Sequence, residues 1–301
     1  MPTFQTPAPI TASVELGGAG DLTVIAGDRT DTVVDVYPRN ESSGADVRAA
    51  EQTRVDYADG RLLVKAAKHW KQYSLFGTGG AVEIIVRLPA GSGLDISLAM
   101  GGVRGEGRFG ECRVTTAMGN IRLDATGAAE LKTSYGEITV GYAAGRVNAA
   151  TGSGSVRIRE IDGSAVIKNS NGDTSLGMVS GDLRVNAANG DITVERAGGP
   201  VSAKTANGGI RLAEVSRGTV TLDAAAGSLE VGIADGIAAW LDLNSKFGRV
   251  SSSLIPTGNP AEVDPAVDPG EPVRTVEVRA RTSYGDITIH RSISSQSRKQ
   301  P

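Results

Sequence analysis

The most constraining feature of this chain is a register. A glycine, then any residue, an apolar residue, any residue and a second apolar residue recur along most of its length. The glycines are Gly119, Gly136, Gly154, Gly172, Gly190, Gly208, Gly227, Gly248 and Gly285, with successive steps of 17, 18, 18, 18, 18, 19, 21 and 37 residues. The apolar positions (Ile121 and Leu123, Ile138 and Val140, Val156 and Ile158) alternate with Arg122, Thr139 and Arg157. That period of two marks a strand with one buried face. A second apolar pair precedes each glycine (Cys112 and Val114, Ala129 and Leu131, Val147 and Ala149), and a second glycine series runs through Gly110, Gly127, Gly145, Gly163, Gly181, Gly199 and Gly218. Each unit of about 18 residues therefore holds two strands and two glycine-marked corners.

Asn171-Gly172, Asn189-Gly190 and Asn207-Gly208 are turn dipeptides that also suit hairpins, so an antiparallel meander is the rival. The register favours coils instead. Like residues recur one unit apart, and in a solenoid they stack at about 4.8 Å into continuous ladders. Thr116, Thr133, Thr151, Thr205 and Thr282 share one such position. The sequence predicts an all-β, single-stranded parallel β-solenoid, β-helix-like, with an irregular N-terminal β cap. The 40 glycines and 4% aromatic content suit short strands and tight turns.

Residues 1–92 read as the cap and first coils, with Gly20 to Val24 as an early repeat, strands at 32–37 and 82–88, and a hairpin about Ala58-Asp59-Gly60. Residues 93–290 are the solenoid. A flexible insertion at 256–273, PTGNPAEVDPAVDPGEPV, interrupts it, and removing it lets Thr275 to Ile289 supply the last coil. A disordered tail is expected at 291–301.

Formal net charge of −3 implies neither a nucleic-acid nor an anionic-membrane partner. Cys112 is the lone cysteine, so no internal disulfide forms. The N-terminus, MPTFQTPAPITASVEL, has no basic and apolar leader pattern, and no run approaches about 18 apolar residues. The expectation is a cytoplasmic protein with no integral membrane segment.

Catalysis needs clustered titratable groups, and His69 and His290 are the only histidines, neither with an evident partner. Cys112 occupies an inward position and is expected to be a buried hydrophobe. No zinc spacing occurs. Glu137, Asp173, Asp191 and Asp286 follow corner glycines; turn capping is favoured over calcium, because the Gly-Gly-x-Gly-x-Asp repeat of calcium solenoids is missing. Solenoid polysaccharide lyases and hydrolases would need a concentrated acidic pair that the outward positions lack. The sequence thus predicts no enzyme, no cofactor and no metal site. The Lys68 to Phe76 segment concentrates aromatics, and Trp70, Tyr73 and Phe76 are candidate partner-binding residues or a lid on the solenoid end. Arg122, Arg157 and Arg211 are candidates on the outward strand face. Trp240 is expected to pack locally.

The units Ser170-Asn171-Gly172-Asp173-Thr174, Ala188-Asn189-Gly190-Asp191-Ile192 and Ser283-Tyr284-Gly285-Asp286-Ile287 resemble a large bacterial family of β-strand-repeat, adhesin-like proteins of unknown function, with a composition similar to actinobacterial members. The resemblance implies a β-solenoid and supplies no catalytic residues. The expected role is a structural or protein-binding scaffold whose partner is another protein or itself. The alternatives are a self-assembling, filament-forming solenoid of the bactofilin kind and a carbohydrate-binding or carbohydrate-active solenoid.

Overall fold

The structure, a computed structural model, describes residues 2–66, 80–254 and 275–292. The chain opens with β1 (Thr3–Gln5), β2 (Thr11–Gly27), β3 (Asp31–Pro38), a short helix α1 (Gly44–Glu51), β4 (Arg54–Ala58), β5 (Arg61–Lys65) and β6 (Ala81–Pro89). The regular coils follow as strand pairs: β7 (Gly93–Met100) and β8 (Val103–Arg108), β9 (Cys112–Met118) and β10 (Ile121–Thr126), β11 (Ala129–Tyr135) and β12 (Ile138–Ala143), β13 (Val147–Ser153) and β14 (Val156–Ile161). Next come β15 (Ala165–Asn171) and β16 (Thr174–Val179), β17 (Leu183–Asn189) and β18 (Ile192–Ala197), β19 (Val201–Asn207) and β20 (Ile210–Val215), β21 (Gly218–Ala226) and β22 (Leu229–Ile233). The last described elements are β23 (Ala238–Phe247), β24 (Val250–Ser252), β25 (Thr275–Tyr284) and β26 (Ile287–Arg291).

From β7 to β20 each strand pairs in parallel with the strand two further along, never with its sequence neighbour, so the coil is a solenoid and the meander is excluded. Register is residue for residue: Ile138 lies between Ile121 and Val156, and Leu131 between Val114 and Ala149. The two ladders line one core, in which Ile121, Leu131, Ile138, Ile167, Val185, Ile192 and Leu222 are all fully buried. Burying each such side chain contributes about 1.5–3 kcal/mol, offset by chain ordering. A third inward row closes the even strands. Ala143, Ile161, Val179, Ala197 and Val215 are buried there, although they fall out of phase with the period of two.

At the corners the coils touch backbone to backbone. Gly190 sits at φ +120°, and a Cβ there would lie 2.3 Å from the carbonyl oxygen of Gly172 one coil below. Both the positive φ and the missing side chain are therefore required.

The two ends break sequential order. β2 spans both ladders; its first half lies between β5 and β7, its second between β6 and β8. Outside it the antiparallel pairs β3–β6, β1–β3 and β4–β5 form the irregular end, with Asp59 (φ 50°) and Gly60 (φ 73°) turning the β4–β5 hairpin. At the other end β25 inserts between β21 and β23, and β26 between β22 and β24. The expected last coil is therefore the penultimate layer, and 238–252 forms the outermost one. Arg291, assigned to the tail from sequence, ends β26, and its Nη1 donates to the carbonyls of Ala234 (3.1 Å) and Ile237 (2.8 Å). The expected insertion at 256–273 and the rest of the tail from 293 lie outside the described residues.

Helix α1 was not predicted. It buries no residue fully; Ala49 and Ala50 pack partly buried against the core, and polar contacts hold its start. The Asp46 carboxylate accepts from the Ala81 and Asn40 amides and from the Ser43 hydroxyl, and the Ala81 amide foremost holds its pKa below the usual value.

Candidate functional site

The corner rows resolve into structural and exposed sets. Thr133, Thr151 and Thr282 each donate through Oγ1, at 3.0 Å, to the carbonyl of the corner glycine one layer below (Gly119, Gly136 and Gly227). Asn169 replaces threonine in this row and donates to Gly154 (3.1 Å) and Gly172 (2.8 Å). The hydroxyls thus cap the backbone rather than each other. The acids following the glycines do the same: Oδ1 of Asp173 accepts the Asp191 amide (3.0 Å), Asp191 the Gly209 amide (2.7 Å) and Asp286 the Arg249 amide (2.8 Å). Turn capping is the observed role of these three aspartates, whereas among the described residues the Glu137 carboxylate caps no amide and pairs with Arg157 instead (3.3 Å). Among the described residues no group of three or more His, Cys, Asp or Glu converges.

Cys112 is fully buried in the ladder of β9, and its burial pushes the thiol up from 9.0 to about 11. Native protein at pH 8 should therefore not react with a disulfide reagent such as DTNB, while one equivalent reacts after unfolding. Prompt labelling of the native state would contradict the burial. Because the folded value is raised, this group's contribution to stability is intact below about pH 9 and is lost as pH rises toward 11.

Arg122, Arg157 and Arg211 share one outward row but do not form one patch. Thr139 separates the first two, and Ser175 with Thr193 separates Arg157 from Arg211. Arg157 pairs with Glu137 (3.3 Å) and Arg211 with Glu230 (3.6 Å), whereas Arg122 has no ion-pair partner among the described residues. Trp70, Tyr73 and Phe76 lie outside the described residues, as does His69.

His290 does have a partner. Its Nε2 lies 3.1 Å from Glu230 Oε1 and its Nδ1 2.8 Å from the carbonyl of Arg291, so two acceptors face the two ring nitrogens. Which of them accepts depends on the tautomer of the ring. The pairing is hidden in sequence because 60 residues separate layers that touch.

Shallow depressions on the surface include two lined by described residues. One, of about 540 Å³, is lined by Arg146, Asp182, Arg184, Ser202, Thr219 and Thr221, where short side chains on β19 and β21 leave room beside Arg184. The other, of about 360 Å³, lies against β3 and is lined in part by Asp35, which is 3% exposed, pairs with Arg87 through Oδ2 and leaves Oδ1 without a partner among the described residues.

The row of residues immediately before the corner glycines was not singled out from sequence. Met100, Met118 and Tyr135 stack in register on three successive layers and are 48%, 53% and 62% exposed. In the middle layers the same row becomes Asn171, Asn189 and Asn207, joined by side-chain bonds of 2.8 and 2.9 Å. At the far end it turns aromatic again, with Tyr284 stacked on Phe247 at 5.0 Å. Trp240, expected to pack locally, is instead 53% exposed on β23. The signal was present in the aligned repeats, one residue before each glycine.

Residues 18–236 match the Toastrack family DUF4097. The chain belongs to the Toastrack DUF4097 family. This Toastrack chain is also similar to three solved structures: a candidate cell-adhesion protein from Clostridium sporogenes (12% identity, 96% of this chain and 98% of that one, TM-score 0.24) and candidate adhesins from Bacteroides fragilis (10%, 96% and 95%, 0.36) and Parabacteroides merdae (10%, 96% and 94%, 0.30). No curated protein matches it. Among its described residues no helix is long and apolar enough to cross a membrane.

Proposed function

We propose that this Toastrack protein is a non-enzymatic, adhesin-like scaffold that binds another protein along the corner of its solenoid, within the cytoplasm. The observation that carries the reading is the strip of Met100, Met118 and Tyr135. Three large apolar side chains lie exposed on adjacent layers, at a spacing of about 4.8 Å set by the backbone, so together they make a patch rather than scattered residues. Methionine and tyrosine are the residue types enriched at protein interfaces. Arg104 and Arg122 lie in register on the neighbouring ladder; Arg104 pairs with Glu106 (2.8 Å), and Arg122, without an ion-pair partner among the described residues, adds the positive charge at the margin. The candidate adhesins from the three bacteria are consistent with a surface-binding role. That no group of three or more His, Cys, Asp or Glu converges among the described residues motivates the non-enzymatic reading, and the buried lone thiol suits a reducing compartment.

Affinity purification from native lysate tests it, comparing the intact chain with Met118→Ser/Tyr135→Ser and with charge reversals at Arg122, Arg157 and Arg211. A partner retained by the intact chain and recovered at about tenfold lower yield with the first variant supports the corner strip. Loss only with the arginine reversals would move binding to the strand face. Recovery of the protein alone in every case would retire the scaffold reading.

A further inference from the structure

The outermost layer of the C-terminal end has an open floor. β23 pairs with β25 along one edge and, among the described residues, with no strand along the other. Its inward Leu241 and Leu243 are half-buried, whereas Val278 and Ala280, one layer in, are fully buried; Val250 on β24 is 44% exposed over a fully buried Ile287. The Phe247 carbonyl accepts the Gly285 amide (3.2 Å), so Phe247, Ser245, Leu243 and Leu241 turn their backbone groups toward β25. Alternation then turns the N–H and C=O groups of Asp242, Asn244 and Lys246 to the open edge. An unpaired ladder beside half-covered apolar residues is a template for another strand.

The strand itself selects that occupant. β23 reads Leu241-Asp242-Leu243-Asn244-Ser245-Lys246-Phe247, and reversal about Asn244 keeps the apolar ends apolar while exchanging Asp242 with Lys246 and Leu243 with Ser245. A twofold axis through Asn244 would set two copies of β23 antiparallel. Asn244 would then meet its counterpart as a hydrogen-bonded pair, and Leu241 would face the Phe247 of the second copy. Asp242 of each copy would face Lys246 of the other, twice. Lys246 has no ion-pair partner among the described residues, and Asp242 has only a long contact of 3.5 Å with Arg281. Opposite charges directly across strands stabilise a pair and like charges destabilise it. We propose that two copies of this chain join end to end through β23 in a closed twofold dimer. An isologous contact of this kind consumes the edge and stops at two, so it gives no filament. It is independent of the partner-binding strip, which lies at the other end of the corner row.

Sedimentation velocity of the full chain over a dilution series tests the proposal. The expected particle has twice the 30.9 kDa chain mass. Asp242→Lys and Lys246→Asp, each of which sets like charges face to face twice, should each weaken the dimer by about tenfold or more. An equimolar mixture of the two variants should restore it, because every 242–246 pair is then again of opposite charge; the double variant should restore it for the same reason. The mixture also controls for folding, since a misfolded chain would not be rescued by a second one. Monomeric mass at all concentrations overturns the proposal, as does a dimer indifferent to the single reversals or a mixture as weak as its components. A monomer that dimerises only when residues 255–274 are deleted would assign the edge to that segment and overturn it as well.

Discussion

Gly190→Ala is expected to destabilise this protein by about 3–5 kcal/mol, close to the whole stability of many domains. The alanine would have to adopt φ +120°, and its Cβ would meet the Gly172 carbonyl oxygen at 2.3 Å. That oxygen belongs to the backbone of the next layer and cannot rotate away. The neighbouring layers cannot separate to relieve the contact either, because the Gly172 amide donates to the Asn189 carbonyl at 2.9 Å. Gly27→Ala is the matched control. Nothing lies within 4 Å of a Cβ at Gly27, so its effect should stay within about 1 kcal/mol. Denaturant midpoints of the two variants, followed by circular dichroism, decide the matter. Equal midpoints would show that the corners are not in backbone contact.

The second large effect is positional. Leu222→Ala should cost about 3 kcal/mol and Leu243→Ala about 1 kcal/mol, measured at concentrations where the chain is monomeric. Leu222 is fully buried on β21 between Ala203 of β19 and Ala280 of β25, two small neighbours that cannot collapse into the space it would leave. Leu243 lies on the outermost β23 with one side uncovered. If the layers followed chain order, β23 would be sandwiched and the two substitutions would cost alike. Similar losses would therefore refute the interleaved order of the last three layers.

The repeat carried most of the fold openly. Ile121, Ile138, Val156 and Ile192 each recur two residues after a corner glycine, and the structure stacks them in that register. Asn-Gly pairs suited both hairpin and corner, and only the equal spacing of like residues favoured the coil. The C-terminal order was not legible, because the step of 37 residues from Gly248 to Gly285 looks the same whether the chain adds a layer or returns beneath one. The His290–Glu230 contact was lost for the same reason. Helix α1 escaped because an eight-residue helix that rests on the core through Ala49 and Ala50 alone is too short to show an apolar period. The third inward row, through Ile161 and Val179, escaped because the period of two breaks before it.

The candidate site was legible in part. Arg122, Arg157 and Arg211 do face outward on one ladder, but the residues between them, Thr139, Ser175 and Thr193, divide them. Met100, Met118 and Tyr135 could have been aligned from the repeat, yet nothing in the sequence distinguishes an exposed corner position from a covered one.

The amino-acid sequence alone determined that this chain coils in layers of about 18 residues with its apolar rows inward, because stacking identical positions at the strand spacing is the one arrangement in which a strict period buries every repeat equally. Tertiary structure alone decided which layers are last, which corner residues stay exposed and which edge is open, because those depend on where non-consecutive strands dock, and a period along the chain holds no record of that.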